Sequence, residues 1–284
     1  HAFAARMARL YGEMLERHGL CDADVEGVYC SGMAGSPFGL CEAPHLEIPA
    51  GAERFHDTMV PYFEERHFKR EIRVIRGLRT PGVIHTLDGL ADVSNVRGEE
   101  VELLGVLQNL DAEKRRNVAV LFPGSHTQCF FVENGEIVGL LSTISGELAH
   151  AITAETILGA SVRWSETPMD TDMVCRGADS VREYGFARAV YMIHASRVFH
   201  LADDEKRRDM LEGVIAGSVA EAFVKRLARY PAIGHVDVAA SKAYMRCYAL
   251  VLNRFAPGIS TETIMEQKPE SFAVFLSLLR DAGY

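Results

Sequence analysis

A chain of 284 residues, 48% apolar and 24% charged, has the composition of a globular protein whose core folds without disulfide or metal staples. Its net charge of −9, with no long basic cluster, argues against a nucleic-acid or anionic-membrane partner. No run of about 18 apolar residues suits a membrane span, no secretory signal pattern opens the chain, and six scattered cysteines without a C-x-x-C pair fit free thiols in the cytoplasm.

The first residue is His rather than Met, so further residues are expected upstream. Residues 2–18 carry apolar positions near i, i+3 and i+4 and predict an amphipathic helix closed by Gly19. The stretch 25–33 predicts a short buried strand ending at Ser31-Gly32. A Gly/Pro-rich loop follows from Ala34 to Phe55, long enough to suggest function. Residues 70–78 predict a second strand, and an acidic start near Gly98 predicts a helix whose first turn suits the positive end of its dipole. Strands at 118–122, 128–133 and 136–142 enclose a tight corner at 123–127 and an Asn134-Gly135 hairpin turn. A helix is predicted from Ser145, its N-cap candidate. Helices are also predicted over 180–201 and from Asp203 or Asp204 to about 230, with a strand at 233–241 and helices over 242–255 and 271–283. The pattern is mixed α/β, without a solenoid repeat.

Three places carry candidate chemistry. At the corner Pro123-Gly124-Ser125-His126-Thr127, successive N–H groups and two hydroxyls can converge on an anion; the same residues also serve as an ordinary exposed turn. Arg97-Gly98-Glu99-Glu100 sets a two-pronged cation beside carboxylates able to act as a general base, although a solvated helix start has the same composition. Ser145-Gly146-Glu147 is a helix cap or an anion-binding helix N-terminus. His45, His56, His67 and His85 lie near Cys41 without zinc-finger or helical spacing, so no metal ligand is assigned.

Taken in order, "CSGMAGSPFGLCEAPHLEIPAG", "DVSNVRGEEVELLG", "LFPGSHTQCFFVENGEIVGLLSTISGELAHAI" and "LEGVIAGSVAEAF" resemble the 2-dehydro-3-deoxygalactonokinase family of the actin/hexokinase/Hsp70-like superfamily. The resemblance implies an α/β actin-like ATPase fold: two ribonuclease-H-like lobes and a cleft, with residues 1–116 as the sugar-acid lobe and 117–284 as the nucleotide lobe. It implies ATP and Mg²⁺ as cofactors, a small-molecule sugar acid as partner, and leaves a homodimer open. The implied reaction moves the γ-phosphoryl of ATP to the terminal hydroxyl of 2-dehydro-3-deoxy-galactonate. Glu99 is then the first candidate base, Glu100 the second, and Arg97 a charge neutraliser. Gly124, Ser125, His126, Thr127, Gly146, Glu147 and Ser241 would meet the nucleotide, and Met33, Gly35, Ser36 and Glu42 the sugar acid.

The sequence departs from the family in places. The Asp-x-Gly-Thr-Thr phosphate motif is absent, so the first lobe is expected to lack its opening strands and expose a sheet edge. Gln128 and Cys129 stand where a lysine and a tryptophan are usual. Pro37 and Leu40 replace an arginine and a tryptophan. The adenosine-side turn becomes Ala239-Ala240-Ser241. These keep two alternatives open: a non-catalytic sugar-acid or nucleotide-binding regulator, and a kinase of the same superfamily acting on another sugar.

Overall fold

A computed structural model describes residues 2–81, 87–163, 167–240 and 242–265. Ser241 and the helix predicted over 271–283 lie outside the described residues. The described chain divides into two compact units, one running to Asn109 and the other starting at Leu110.

In the first unit, α1 (Ala2–His18) stops where Gly19 enters the left-handed region at φ 65°. There follow β1 (Tyr29–Cys30), β2 (Leu46–Glu47), α2 (Ala52–Asp57), β3 (Val60–Phe63), β4 (Glu71–Val74), β5 (Leu78–Arg79), β6 (Asn95–Val96) and α3 (Glu99–Asn109). Strand β4 pairs in parallel with β1 and antiparallel with β3. Its alternation buries Ile72 and Val74 against Ala43, Met7 and Val28, and exposes Glu71 and Arg73. A second small sheet has the order β2-β5-β6. The strand expected over 70–78 is therefore two strands in two sheets, and the one expected over 25–33 shortens to the two residues that reach β4. Among the described residues, nothing pairs with the other edge of β1.

The second unit contains β7 (Asn117–Phe122), β8 (Thr127–Glu133), β9 (Glu136–Thr143), α4 (Ser145–Glu155), α5 (Thr171–Tyr184), α6 (Phe186–Val198), α7 (Asp204–Leu227), β10 (His235–Ala240), α8 (Lys242–Phe255) and β11 (Ser260–Met265). The sheet order is β11-β10-β7-β8-β9. Three antiparallel strands come first, then β10 joins β7 in parallel and β11 joins β10 in parallel. That is the ribonuclease-H-like arrangement. Asn134 and Gly135, both at positive φ, make the predicted turn between β8 and β9.

One face of this sheet presents Ala119, Leu121, Cys129, Phe131, Val236 and Val238 to Val174 and Ala178 of α5, Phe223 of α7 and Val251 of α8. Phe131 stacks on Phe223 with ring centres 5.5 Å apart. Asp203 caps α7 by accepting the N–H of Lys206 at 2.8 Å. The long helix expected over 180–201 breaks at Gly185, whose φ of 79° separates α5 from α6. Strand β11, with no alternating apolar pattern, was not anticipated.

Candidate active site

Each unit gathers one of the expected groups of site residues. In the first unit the group forms at the head of α3. Gly98, at φ 123°, begins the helix in a conformation that disfavours a side chain. It lies so close to the loop after β1 that a Cβ on it would stand 3.4 Å from the Cα of Gly32. Arg97 runs across the same loop: a Cβ on Gly35 would stand 2.9 Å from its Nη1. Arg97 Nη1 donates to the carbonyl of Ala43 at 3.0 Å, and Nη2 lies 3.3 Å from Nδ1 of His45. The loop from Gly32 to His45 and the start of α3 therefore form one packed surface around a guanidinium.

The two carboxylates of this surface differ. Glu99 is partly exposed, whereas Glu100 is fully buried. Glu100 Oε2 accepts the N–H of Gly98 at 2.6 Å, and among the described residues its Oε1 has no hydrogen-bond partner. Burial pushes the Glu100 carboxyl up to about 8, with the Glu99 charge adding to the rise and the Gly98 N–H opposing it. Glu100 thus carries a proton at neutral pH. His45 is the reverse case: burial and then the charges of Arg97, Arg79 and Arg76 hold its imidazole down to about 4. A neutral His45 accepts from Arg97 without opposing its charge.

Of the other expected sugar-acid residues, Gly35 packs on Arg97, while Met33 and Glu42 are exposed. Ser36 is buried and serves its own loop, donating to the carbonyl of Met33 at 2.8 Å and accepting from the N–H of Phe38 at 3.3 Å.

The second group is the turn between β7 and β8. Gly124 and Ser125 are exposed and His126 is half-buried. Among the described residues, no acceptor takes the N–H groups of Gly124, Ser125 or His126, so three donors remain for an incoming anion. The carbonyl of Ser125 receives the N–H of Gly146 at 2.9 Å and of Glu147 at 3.0 Å. The turn therefore sits directly on the first turn of α4. Only glycine fits at 146, because a Cβ there would drive into the carbonyl oxygen of Gly124. His126 Nε2 lies 3.2 Å from Glu147 Oε1.

Two expectations for this turn change in detail. Thr127 is fully buried, so its hydroxyl does not face the open side of the turn. It lies 2.6 Å from Ser145 Oγ and 3.1 Å from Tyr248 Oη, tying the turn to α4 and α8. Ser145 correspondingly is not the N-cap; Ile144 holds that position and makes no side-chain cap bond. Gly146 and Glu147 have already committed their N–H groups to Ser125. Gln128 and Cys129 are buried strand residues. Beside the turn, Gly124, Gly146, Ala149, Leu211, Glu212, Ile215, Cys247 and Tyr248 line a mostly apolar cavity of about 30 Å³. Burial, with the neighbouring Asp209, lifts the Glu212 carboxyl up to about 7.

Sequence reasoning missed His45, Tyr248 and Glu212. His45 lies three residues after Glu42, and no local signal ties it to Arg97, 52 residues later. Tyr248 and Glu212 lie inside amphipathic helices and carry no local signal.

The turn and the head of α3 both fall within a stretch matched as a whole by one family model, that of 2-keto-3-deoxy-galactonokinase, over residues 1–268. The chain belongs to this family. A 2-keto-3-deoxy-galactonokinase family chain is an ATP-dependent sugar kinase. The fold agrees: the crystal structure of a Sinorhizobium meliloti protein named as a 2-dehydro-3-deoxygalactonokinase superposes with a TM-score of 0.79 and 21% identity, covering 99% of this chain and 88% of that one. Acetate kinase from Entamoeba histolytica gives a TM-score of 0.49 at 8% identity, covering 98% of this chain and 84% of that one. A carbohydrate kinase from Novosphingobium aromaticivorans gives 0.42 at 11% identity, covering 75% and 46%. Among curated proteins no match was found. Among the described residues, no helix is long and apolar enough to cross a membrane.

Proposed function

We propose that this chain transfers the γ-phosphoryl group of ATP to the terminal hydroxyl of 2-dehydro-3-deoxy-galactonate. The observation that carries this reading is the surface at the head of α3, where Arg97, held by Ala43 and His45, stands in sequence beside the partly exposed Glu99. A sugar acid has one carboxylate to be held and one hydroxyl to be deprotonated, and this surface offers one fixed guanidinium and one accessible carboxylate. Arg97 holds the substrate carboxylate through its two-pronged edge. Glu99 accepts the proton of the attacking hydroxyl. Glu100, already protonated, fixes the helix start through Gly98 and keeps Glu99 in place.

The turn Gly124–His126 fits a phosphate, since among the described residues its N–H groups have no acceptor and Ser125 adds an exposed hydroxyl. Glu147, at the start of α4 and beside His126, would hold magnesium through water. Magnesium, when bound, neutralises charge that develops on the transferring phosphoryl group. Residues 1–109 supply the sugar-acid surface and residues from 110 onward the nucleotide turn.

The test is ADP release by the purified chain with ATP, magnesium and 2-keto-3-deoxy-galactonate, alongside galactonate, gluconate and 2-keto-3-deoxy-gluconate. Turnover highest with the first supports the reading. Turnover highest with another of them replaces the acceptor, and binding of ATP and sugar acid without any turnover replaces the kinase by a binding protein.

A further inference from the structure

At the end of the second unit's sheet away from the phosphate turn, three side chains converge that the kinase reaction does not use. His235 begins β10, and strand alternation places Asp237 on the same face. Asp237 pairs directly with Glu262 of β11 in the parallel register. His235 Nε2 is 3.0 Å from Asp237 Oδ1 and 3.9 Å from Glu262 Oε2. One ligand atom from each of the three lies within 4.8 Å of the others. His235 also pairs with Val118 near the start of β7, whereas the turn follows Phe122 at the other end of that strand.

Asp237 is completely buried, and among the described residues its Oδ2 has no hydrogen-bond partner. A buried carboxylate oxygen left unpaired is costly. The charge near it is thinly balanced: two carboxylates face one ammonium, Lys114, whose Nζ binds Glu262 Oε1 at 2.7 Å and is itself partly exposed. His235, Asp237 and Glu262 thus bring together an imidazole nitrogen and two carboxylates, of which the buried Asp237 keeps one oxygen without a hydrogen bond among the described residues.

From this placement we infer a divalent-metal site at His235, Asp237 and Glu262, separate from the nucleotide's magnesium, that takes zinc. Zinc–nitrogen and zinc–oxygen bonds of about 2.0–2.2 Å set neighbouring ligand atoms roughly 3.4 Å apart. The 3.0 and 3.9 Å separations bracket that spacing. One nitrogen and two carboxylates suit zinc over magnesium or calcium, which prefer all-oxygen shells, and manganese should bind more weakly. On binding, the metal takes the place of the hydrogen between Nε2 and Oδ1, the ring carrying its proton on Nδ1, and the fourth position is left to water. Lys114 is the built-in competitor, a cation on one oxygen of the same Glu262.

The experiment is a competition titration of the metal-free chain with zinc against a chromophoric chelator, with cobalt(II) spectra in parallel. The expected result is one equivalent of zinc bound tightly, with no thiolate-to-cobalt charge-transfer band. Affinity should fall on the order of a hundredfold in Asp237→Asn and His235→Ala, and by about tenfold or more in the partly exposed Glu262→Gln. It should rise in Lys114→Ala, which removes the competing charge. Thermal unfolding of each variant without metal confirms folding; Glu262→Gln and Lys114→Ala, at exposed and partly exposed positions, decide the matter if the buried variants do not fold. Absence of a stoichiometric site, a thiolate band, or affinities unchanged in Glu262→Gln and Lys114→Ala would overturn the assignment.

Discussion

Glu100 Oε2 accepts the N–H of Gly98 at 2.6 Å, so the second carboxylate of α3 folds back onto the residue that starts the helix. Its neighbour Glu99 is left partly exposed. Two adjacent glutamates with the same chemistry are thereby divided: one fixes the helix start and the other stays open to solvent.

That division gives opposite outcomes for the same substitution. Glu99→Gln should lower kcat by about 10²–10⁴ with an unchanged melting temperature. Glu100→Gln, which keeps an oxygen for Gly98 and replaces a group already neutral, should leave kcat at pH 7 within a few-fold. Steady-state kinetics on both variants checks this; a Glu100→Gln enzyme that is dead but folded would transfer the base role to Glu100.

The Glu100 carboxyl also predicts a pH dependence of stability. Its pKa rises on folding from 4.5 to about 8. The folded state therefore holds a proton that the unfolded state has released across that window, and stability falls as pH rises through it. Chemical denaturation between pH 5 and 8.5 should show Glu100→Gln gaining on the wild type as pH rises. Parallel curves for the two proteins would mean that Glu100 does not hold its proton in the folded chain.

Ser125 and Thr127 should separate binding from stability. Ser125→Ala, at an exposed position, should weaken ATP several-fold by calorimetry and leave the melting temperature unchanged. Thr127→Ala removes the partner of the Ser145 and Tyr248 hydroxyls and should cost about 1–3 kcal/mol of stability. Thr127→Ser should restore most of it. A Thr127→Ala protein of wild-type stability would show that the buried hydroxyl network is not what anchors the turn.

Arg97→Lys keeps the charge but cannot reach both the Ala43 carbonyl and His45 while presenting a planar edge. The KM for the sugar acid should rise about tenfold or more, with the KM for ATP unchanged. A rise in the ATP value alone would move Arg97 to the phosphate.

Deep in the second unit, Arg208 binds Asp209 Oδ1 through Nε at 2.8 Å and Nη2 at 2.6 Å, while Oδ2 accepts the N–H of Asp170. Asp209→Ala removes two charge-assisted hydrogen bonds from the buried Arg208 guanidinium and the acceptor of the Asp170 N–H, and should destabilise the protein by about 1–3 kcal/mol, read from urea unfolding.

Much of this architecture was legible in the sequence. Asn134-Gly135 marks its turn because both positions need positive φ, and the acidic start of α3 and the Asp203 cap lie where local chemistry places them. What local pattern could not supply was partnership across the chain. The apolar run at 25–33 extends as a strand only where β4 meets it. Ser145 has the composition of a cap, yet its hydroxyl is claimed by Thr127, 18 residues earlier in the chain. The His-x-Asp alternation of β10 was visible, but Glu262 joins it only because β11 lies alongside. Arg97 and Glu99 could be named from the sequence, whereas His45, which steadies Arg97, required the fold.

The bond from two α4 amides to the single carbonyl of Ser125 has a consequence in hydrogen-exchange terms. Gly146 and Glu147 depend on a neighbouring loop, not on their own helix, for protection from solvent. Opening of the turn and fraying of α4 are then one event, with one protection factor shared by both amides. An anion that seats on Gly124–His126 should slow exchange at Gly146 and Glu147 without touching either, so those two amides report occupancy of a loop they do not belong to.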